Sequence, residues 1–210
     1  RNPLTAVRMR LFSLKTAVNS GADITEDVDF ISEEIKNLER IITEFLEFSR
    51  PKEPEPTACN LEELARSTVN LLQQQLDDRS IGVECSVDSS LPCIHADADQ
   101  IRQVFVNLMK NAIQAVDRDG CIRVEVAGTA TGSADGQMAV VRFEDTGVGI
   151  PEAHRQHIFD PFYSTKDEGT GLGLCTCARI LQKHGGRLVL ERTDSTGTVF
   201  AVFLPMHTSA

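Results

Sequence analysis

The sequence predicts an antiparallel helical hairpin followed by a two-layer α/β sandwich. The hairpin is indicated by two apolar stripes with alternating spacings of three and four, the second of which ends at a proline-rich segment. The sandwich is indicated by helical patterns and short strand-like apolar runs that alternate through the rest of the chain. We place the hairpin at residues 1–50, a linker at 51–59 and the sandwich at 60–210.

The two stripes of the hairpin predict one helix each. The first helix should end near Asn19–Gly21, and its stripe consists of Leu4, Val7, Leu11, Leu14 and Val18. The second should stop before Pro51, and its stripe consists of Val28, Ile31, Ile35, Leu38, Ile42 and Phe45. Two helices alone cannot enclose both stripes, so we expect a homodimer in which two hairpins form a four-helix bundle. The alternative is a hairpin docked on its own chain.

The sandwich should contain three long helices and five strands. The helices are predicted at about residues 61–76, 97–116 and 171–184, and the strands at about 81–87, 121–127, 138–143, 187–191 and 199–204. The last two strands have the pattern of a hairpin, so the sheet should be at least partly antiparallel. Residues 145–170 form a glycine-rich segment of about 25 residues, a length typical of a functional lid.

The composition argues against several classes of function. With 31 acidic and 21 basic residues the net charge is −10, which disfavours nucleic acid as a partner. The six cysteines lie in apolar stretches without the spacing of a zinc site, which predicts reduced thiols in the cytoplasm. No apolar run approaches the ~20 residues of a membrane span, so we expect no membrane contact from this chain, whether or not the full-length protein is anchored.

Side-chain amides form a stripe on the helix predicted after Asp97. Asn107, Asn111 and Gln114 recur there at helical spacing. An amide oxygen is a neutral ligand that suits a Mg²⁺ ion held mainly by nucleotide phosphates. The alternative is a solvated polar face.

A carboxylate and two glycines follow the strand predicted at residues 138–143. The Asp145 carboxylate can only accept hydrogen bonds, so it would suit the exocyclic amine of adenine and reject guanine. Gly147 and Gly149 would let a ligand approach the backbone. The alternative is an ordinary Asp-Thr-Gly turn.

A second glycine-rich segment, Gly169–Leu174, opens the last predicted helix. Glycines at a helix N-terminus expose unpaired N–H groups that, together with the helix dipole, favour phosphate. A dinucleotide-binding turn is another interpretation, because Glu191 ends a strand about twenty residues later. That fold requires a buried strand before the first glycine, whereas Tyr163–Glu168 is polar.

Taken together, four segments resemble in order and spacing the N, G1, F and G2 boxes of sensor histidine kinases. They are Asn107–Ala112, Asp145–Gly149, Phe159–Phe162 and Gly169–Gly173. The opening Arg1–Leu4 resembles the end of the H-box, and Phe162–Lys166 resembles kinases of the nitrogen-regulation type. The resemblance implies a dimerisation and phosphoacceptor hairpin joined to an ATP-binding catalytic domain of the histidine kinase, gyrase and Hsp90 type.

The same resemblance implies a role for each matching residue. Asn111 would coordinate Mg²⁺, supported by Asn107, and Asp145 would recognise adenine while Gly147 and Gly149 admit the base. Lys166 is the candidate for a positive charge at the γ-phosphate. The residues implied to surround the phosphates are Gly169, Thr170, Gly171, Leu172 and Gly173.

The implied reaction is ATP-dependent phosphorylation of a histidine, followed by transfer to an aspartate of a response-regulator receiver domain. The implied acceptor lies three residues before Arg1, so we expect this chain to bind nucleotide without phosphorylating itself. Asn2 matches the position that orients water for dephosphorylating the regulator, with a helix-surface amide as the alternative. Related hydrolases carry a glutamate at the position of Asn107, whose amide cannot accept a proton. A GHKL-type ATP hydrolase and a dimeric nucleotide-binding scaffold without phosphotransfer are the alternative functions.

None of the five histidines of the chain has the sequence context of that acceptor. His154 and His157 could face a metal together, although a solvated turn of the lid is the favoured interpretation. His184 is predicted at a helix C-terminus, where the dipole favours it. Cys175 and Cys177 are predicted to be packing residues.

Overall fold

The computed structural model describes residues 3–20, 23–50, 52–88, 91, 93–128, 137–166 and 169–206, which form two compact units. The first unit contains α1 (Pro3–Ser20), α2 (Thr25–Ser49) and the segment Ser164–Leu172. The second unit contains the chain from Glu53 to Tyr163 and from Gly173 onward, and it holds the remaining helices and strands.

Both helices of the first unit lie where the apolar stripes predict them. They contact each other: Arg10 Nη1 lies 2.6 Å from Asp27 Oδ1, and the Arg10 guanidinium lies 4.9 Å from the centre of the Phe30 ring. Over its whole length α2 has no buried residue, and on α1 the Phe12 side chain is 77% exposed. A single chain therefore covers the two apolar stripes only in part.

The second unit is built on a five-stranded mixed sheet. Its strands are β2 (Gly82–Val87), β4 (Cys121–Gly128), β5 (Met138–Asp145), β6 (Arg187–Asp194) and β7 (Gly197–Pro205), while β1 (Thr57–Cys59) and β3 (Ile94–Ala96) form a separate antiparallel pair. The strand order is β2-β4-β5-β7-β6, in which β2 and β4 run parallel and the other pairs antiparallel. The prediction of an at least partly antiparallel sheet with a closing hairpin is confirmed.

Helices cover one face of this sheet. They are α3 (Leu61–Leu71), α4 (Gln73–Asp77), α5 (Ala98–Ala115) and α7 (Gly173–Lys183), whereas the short α6 (Glu152–Arg155), which follows β5, has no buried residue. The core lies between the layers, where the rings of Phe105 on α5 and Phe143 on β5 meet edge to face with their centres 5.3 Å apart. Among the described residues, no helix has the length and hydropathy that crossing a bilayer would demand.

The other face of the sheet is charged. On β4 the buried Val124 lies between Arg123, which is exposed, and Glu125, which is half-buried, as the alternation of a strand with one solvated face requires. Arg123 Nε lies 2.9 Å from Glu84 Oε2 on β2, and Arg123 Nη1 lies 3.0 Å from Glu144 Oε2 on β5. The sandwich therefore has two layers, one of helices and one of strands, as predicted.

The structure differs from the sequence prediction in its shorter elements. The predicted linker, residues 51–59, includes β1, which pairs with β3, and neither three-residue strand is long enough to show an alternating pattern. Leu72 interrupts the helix predicted over residues 61–76 and divides it into α3 and α4. The short helix α6 lies inside the predicted irregular segment, and β6 extends to Asp194, beyond its predicted end.

Candidate nucleotide-binding site

The amide-bearing face of α5 contains two half-buried asparagines, Asn107 and Asn111. The spacing of four residues places both on one side of the helix, and Ala115 continues the same row by one further turn. Gln114, the third amide of the predicted stripe, is exposed. The side of α5 that can form a site therefore consists of Asn107, Asn111 and Ala115, which are called the amide row below.

The loop after β5 packs against the last turn of this row. The backbone N–H of Val148 donates to the Ala115 carbonyl at 3.3 Å. A Cβ atom added to Gly147 would lie 2.5 Å from the same carbonyl oxygen, which is closer than non-bonded atoms can approach. Any residue larger than glycine at position 147 would separate the loop from α5.

Asp145, the last residue of β5, is only 5% exposed. Its Oδ1 accepts hydrogen bonds from the backbone N–H groups of Gly147 at 2.8 Å and Thr198 at 3.3 Å. Two backbone donors fix the orientation of the carboxylate at the end of the central strand, next to the loop that contacts α5. This is the geometry expected of a fixed acceptor for a ligand.

The other end of the amide row contacts α7. Cys177 is fully buried; its thiol donates to the Val104 carbonyl at 3.9 Å and forms a hydrogen bond with the Asn107 side chain. Burial raises the pKa of this thiol to about 12, although the bond to Asn107 lowers it in part. Gly173 lies one turn before Cys177 on the same side of α7, and an added Cβ there would meet no heavy atom within 4 Å.

The predicted ligand residues fall into two groups. The structure brings together six of them in the second unit, where the amide row of α5 joins the loop after β5 to α7: Asn107, Asn111, Asp145, Gly147, Gly149 and Gly173. The other four belong to the first unit: Lys166, Thr170, Gly171 and Leu172. Asn2 lies outside the described residues.

In the first unit, the segment Ser164–Leu172 has contacts of its own. The Thr170 hydroxyl donates to Glu44 Oε2 on α2 and accepts from the Leu172 N–H at 3.3 Å. Gly171 has a φ of +69°, a backbone conformation that favours glycine. The exposed Lys166 donates its backbone N–H to the Ser164 hydroxyl at 3.1 Å. The predicted phosphate contacts of these residues stay predictions.

The structure gives a reason for glycine at position 149 that the sequence did not indicate. The φ of Gly149 is +72°, and a Cβ added there would lie 1.9 Å from the Asp194 carbonyl oxygen at the end of β6. Together with Gly147, it therefore allows the loop after β5 to lie between α5 and the β6–β7 hairpin. That both glycines also admit a base stays a prediction.

Sequence reasoning missed the contribution of the β6–β7 hairpin to the site. Thr198 is buried and donates its backbone N–H to Asp145. Its hydroxyl lies 3.3 Å from the Thr193 hydroxyl, and the Thr193 hydroxyl accepts from the Ile150 N–H at 2.7 Å. A Cβ added to Gly197 would lie 1.8 Å from the Asp145 carbonyl oxygen. In the sequence, Gly197 and Thr198 stand just before the strand predicted at residues 199–204, and their local pattern gives no sign of a contact with Asp145.

The two histidines of the lid have different partners. His154 Nδ1 lies 2.5 Å from the Tyr163 hydroxyl, whereas His157 Nδ1 lies 2.7 Å from Asp160 Oδ2. Within the part of the chain that the structure describes, no three His, Cys, Asp or Glu side chains are grouped so that they could hold a metal. The two imidazoles therefore have separate partners, and the interpretation of this segment as a lid stays a prediction. Phe162, in the same segment, is exposed and has a φ of +66°.

Comparison with known proteins identifies a family. Residues 96–208 match the family described as "Histidine kinase-, DNA gyrase B-, and HSP90-like ATPase". Sporulation kinase C of Bacillus subtilis is 35% identical over 211 aligned positions, which cover all of this chain and 47% of that protein. The chain spans less than half the length of the curated relatives it matches.

Solved structures with the same fold agree with this match. The catalytic domain of histidine kinase ThkA is 33% identical, with a TM-score of 0.64, and the alignment covers 72% of this chain and 96% of that domain. A structure of ThkA in complex with the response regulator protein TrrA aligns with 99% of this chain and 58% of that one, at 30% identity and a TM-score of 0.80.

Proposed function

Because this chain belongs to the family of histidine kinase-, DNA gyrase B- and HSP90-like ATPases, and within it to the sensor histidine kinases, we propose that it is the Mg-ATP-binding core of a protein histidine kinase. It would phosphorylate a histidine upstream of Arg1, and the phosphoryl group would then pass to a response-regulator aspartate. The observation that carries the proposal is the amide row of α5, which links the buried Asp145 to α7.

Adenine recognition is proposed for Asp145. A carboxylate that two backbone N–H groups hold in place can accept from the adenine amine without losing its orientation. Guanine presents a carbonyl oxygen at the corresponding position, and the repulsion between two acceptors would exclude it. Selectivity for adenine would thus come from one side chain that is already positioned before the nucleotide binds.

Mg²⁺ is proposed to bind Asn111, with Asn107 beside it. When bound, Mg-ATP supplies the transferable phosphoryl group and neutralises part of the phosphate charge. The residues fit this role because both amides are half-buried on one side of α5, and because the open position at Gly173 leaves space at the start of α7. The amide of Asn107 cannot act as a base for water, which disfavours the alternative of an ATP hydrolase.

The first unit is proposed to be the dimerisation hairpin. Several apolar side chains of α1 and α2 are at least 43% exposed: Leu4, Leu11, Phe12, Val18, Val28, Ile35, Ile42 and Phe45. A second copy of the chain would cover them in a four-helix bundle. By similarity to ThkA, which was solved with the regulator TrrA, we propose that the hairpin also binds a receiver domain. The phosphatase role proposed for Asn2 follows from the resemblance alone.

A calorimetric titration tests the proposal directly. We expect the chain to bind ATP, to bind it more tightly with Mg²⁺ than with EDTA, and to bind GTP at least about tenfold more weakly, since a tenfold ratio needs only 1.4 kcal/mol. Equal affinity for ATP and GTP would contradict the role of Asp145. A second experiment incubates the full-length protein with radiolabelled ATP, and label that is lost on mild acid treatment is expected, as for phosphohistidine. Steady release of phosphate without labelled protein would instead favour a hydrolase.

A further inference from the structure

The segment Glu53–Cys59, called the linker segment below, is attached to the second unit at three places. Lys183 Nζ, at the end of α7, lies 2.8 Å from Glu53 Oε1. The backbone N–H of Glu55 donates to Asp97 Oδ2 at 3.0 Å. The strand β1, which forms the last part of the segment, pairs with β3, the strand that ends one residue before Asp97.

Asp97 forms hydrogen bonds with both the start of α5 and the linker segment. It is 8% exposed, and its Oδ1 caps the start of α5 by accepting from the N–H groups of Asp99 and Gln100, each at 3.1 Å. Its other carboxylate oxygen accepts from Glu55. Burial alone would raise the pKa of Asp97, but the N–H donors of Glu55, Gln100 and Asp99 hold it below its ordinary value. The carboxylate is therefore held in its charged form between the helix and the linker segment.

His184 connects Asp97 to α7. Its Nδ1 lies 2.8 Å from the Ile180 carbonyl, which can only accept, so Nδ1 carries the proton and donates. Its Nε2 then accepts from the backbone N–H of Asp97 at 3.1 Å. Both bonds need the same neutral tautomer, so the imidazole fixes the end of α7 to the start of α5.

The linker segment is thus attached where one helix of the candidate site begins and the other ends. The first residue of α7 is Gly173, at the predicted phosphate end, and Lys183 is its last. Eleven helical residues span about 16 Å, and a helix of that length moves as a rigid element. A change in order or position at Gly173 therefore reaches the residues that hold the linker segment.

We propose that Asp97, Lys183 and His184 form a latch for the linker segment, and that nucleotide bound at the start of α7 strengthens this latch. The proposal rests on the proposed nucleotide binding. Nucleotide would order the first turn of α7, and a better ordered helix loses less further freedom when its far end binds the linker segment. Because the chain passes from the linker segment into the first unit at Lys52, nucleotide occupancy would be signalled along the chain.

The test is hydrogen exchange of the backbone amides of β1, followed by mass spectrometry. In the native chain we expect exchange to be at least about threefold slower with a non-hydrolysable ATP analogue and Mg²⁺ than without nucleotide. Calorimetry on the same samples measures how tightly the analogue binds. Binding without any change in β1 exchange would overturn the latch alone, whereas absence of binding would overturn the proposed function and the latch with it.

Two matched pairs of variants assign the effect to the latch. Glu55→Pro removes the backbone N–H that donates to Asp97 and leaves the cap of α5 intact, while Glu55→Gln keeps that N–H. His184→Phe removes the acceptor for the Asp97 N–H, while His184→Gln keeps an acceptor at the end of its side chain. We expect Glu55→Pro and His184→Phe to abolish the response of β1 to nucleotide, and Glu55→Gln and His184→Gln to retain it. Because coupling between two sites is reciprocal, analogue affinity should fall about threefold in Glu55→Pro and His184→Phe and stay within about twofold of the native value in Glu55→Gln and His184→Gln. A response that persists in both Glu55→Pro and His184→Phe would show that the latch is not needed.

Discussion

Replacing Asp145 by asparagine tests the proposed site most sharply, because the change is nearly isosteric. The carboxylate Oδ1 accepts from the N–H groups of Gly147 and Thr198, and the single oxygen of an asparagine can occupy that position and keep both bonds. Its NH₂ group then replaces the other carboxylate oxygen. An alanine would instead leave two buried N–H groups without this acceptor, at a cost of about 1–3 kcal/mol each, so loss of binding would be mixed with loss of stability.

The expected loss can be worked out from the bond that changes. A hydrogen bond to a charged acceptor contributes about 1.5–3 kcal/mol net, and in the variant an amide donor would face the adenine amine. At 1.4 kcal/mol per factor of ten, ATP affinity should fall roughly 10- to 100-fold. The same NH₂ group can donate to the guanine carbonyl, so the preference for ATP over GTP should fall by at least that factor.

Titration calorimetry with Mg-ATP and Mg-GTP measures both quantities, and thermal unfolding shows whether the fold is kept. The control variant is Asp77→Asn, which makes the same chemical change at an exposed carboxylate on α4 and should leave both affinities unchanged. Suppose that Asp145→Asn has the same unfolding temperature as the native chain and that its affinities for ATP and GTP are within about twofold of the native values. Asp145 then does not recognise the base.

Four further predictions concern the site and the hairpin. Asn111→Ala should abolish the effect of Mg²⁺ on ATP affinity without changing the affinity in EDTA, whereas Gln114→Ala, which truncates an exposed amide of the same helix, should leave both unchanged in calorimetry. Gly149→Ala should lower the free energy of unfolding by more than about 2 kcal/mol in urea denaturation, because a Cβ would collide with a backbone carbonyl. By contrast, Gly173→Ala should stay within about 0.5 kcal/mol of native stability but weaken ATP binding. Ile35→Glu should shift sedimentation from dimer to monomer, since it places a charge on the exposed apolar stripe of α2; a chain that stays dimeric would contradict the proposed bundle.

The longer elements could be predicted from the sequence because their burial is periodic. On β4, Ile122, Val124 and Val126 are buried on one face, so alternation alone locates the strand. The pair β1 and β3 could not be found this way, since three residues give too short a pattern. Leu72, which separates α3 from α4, is itself buried and apolar, so the apolar pattern continues through the break.

For the site, the sequence identified residue types but not the contacts that hold them. Asp145 and the glycines after it stand out in the sequence because a charge and flexible residues follow an apolar strand. The donor from Thr198 lies 53 positions further along the chain, and only the pairing of β5 with β7 brings it to Asp145. The collision that requires glycine at Gly149 likewise comes from β6, so local spacing could not distinguish packing from ligand access.

The chemistry around the amide row is consistent with transfer of the phosphoryl group rather than its loss to water. Asn107 forms a hydrogen bond with the Cys177 thiol, and burial raises the pKa of that thiol to about 12, so the thiol stays protonated at neutral pH. Neither partner can therefore take a proton from an attacking water. Because Asn111, the residue proposed to hold Mg²⁺, is a neutral amide, the phosphates would have to supply most of the ion's affinity. An imidazole, which needs no base to attack phosphorus, would then be the effective nucleophile at such a site.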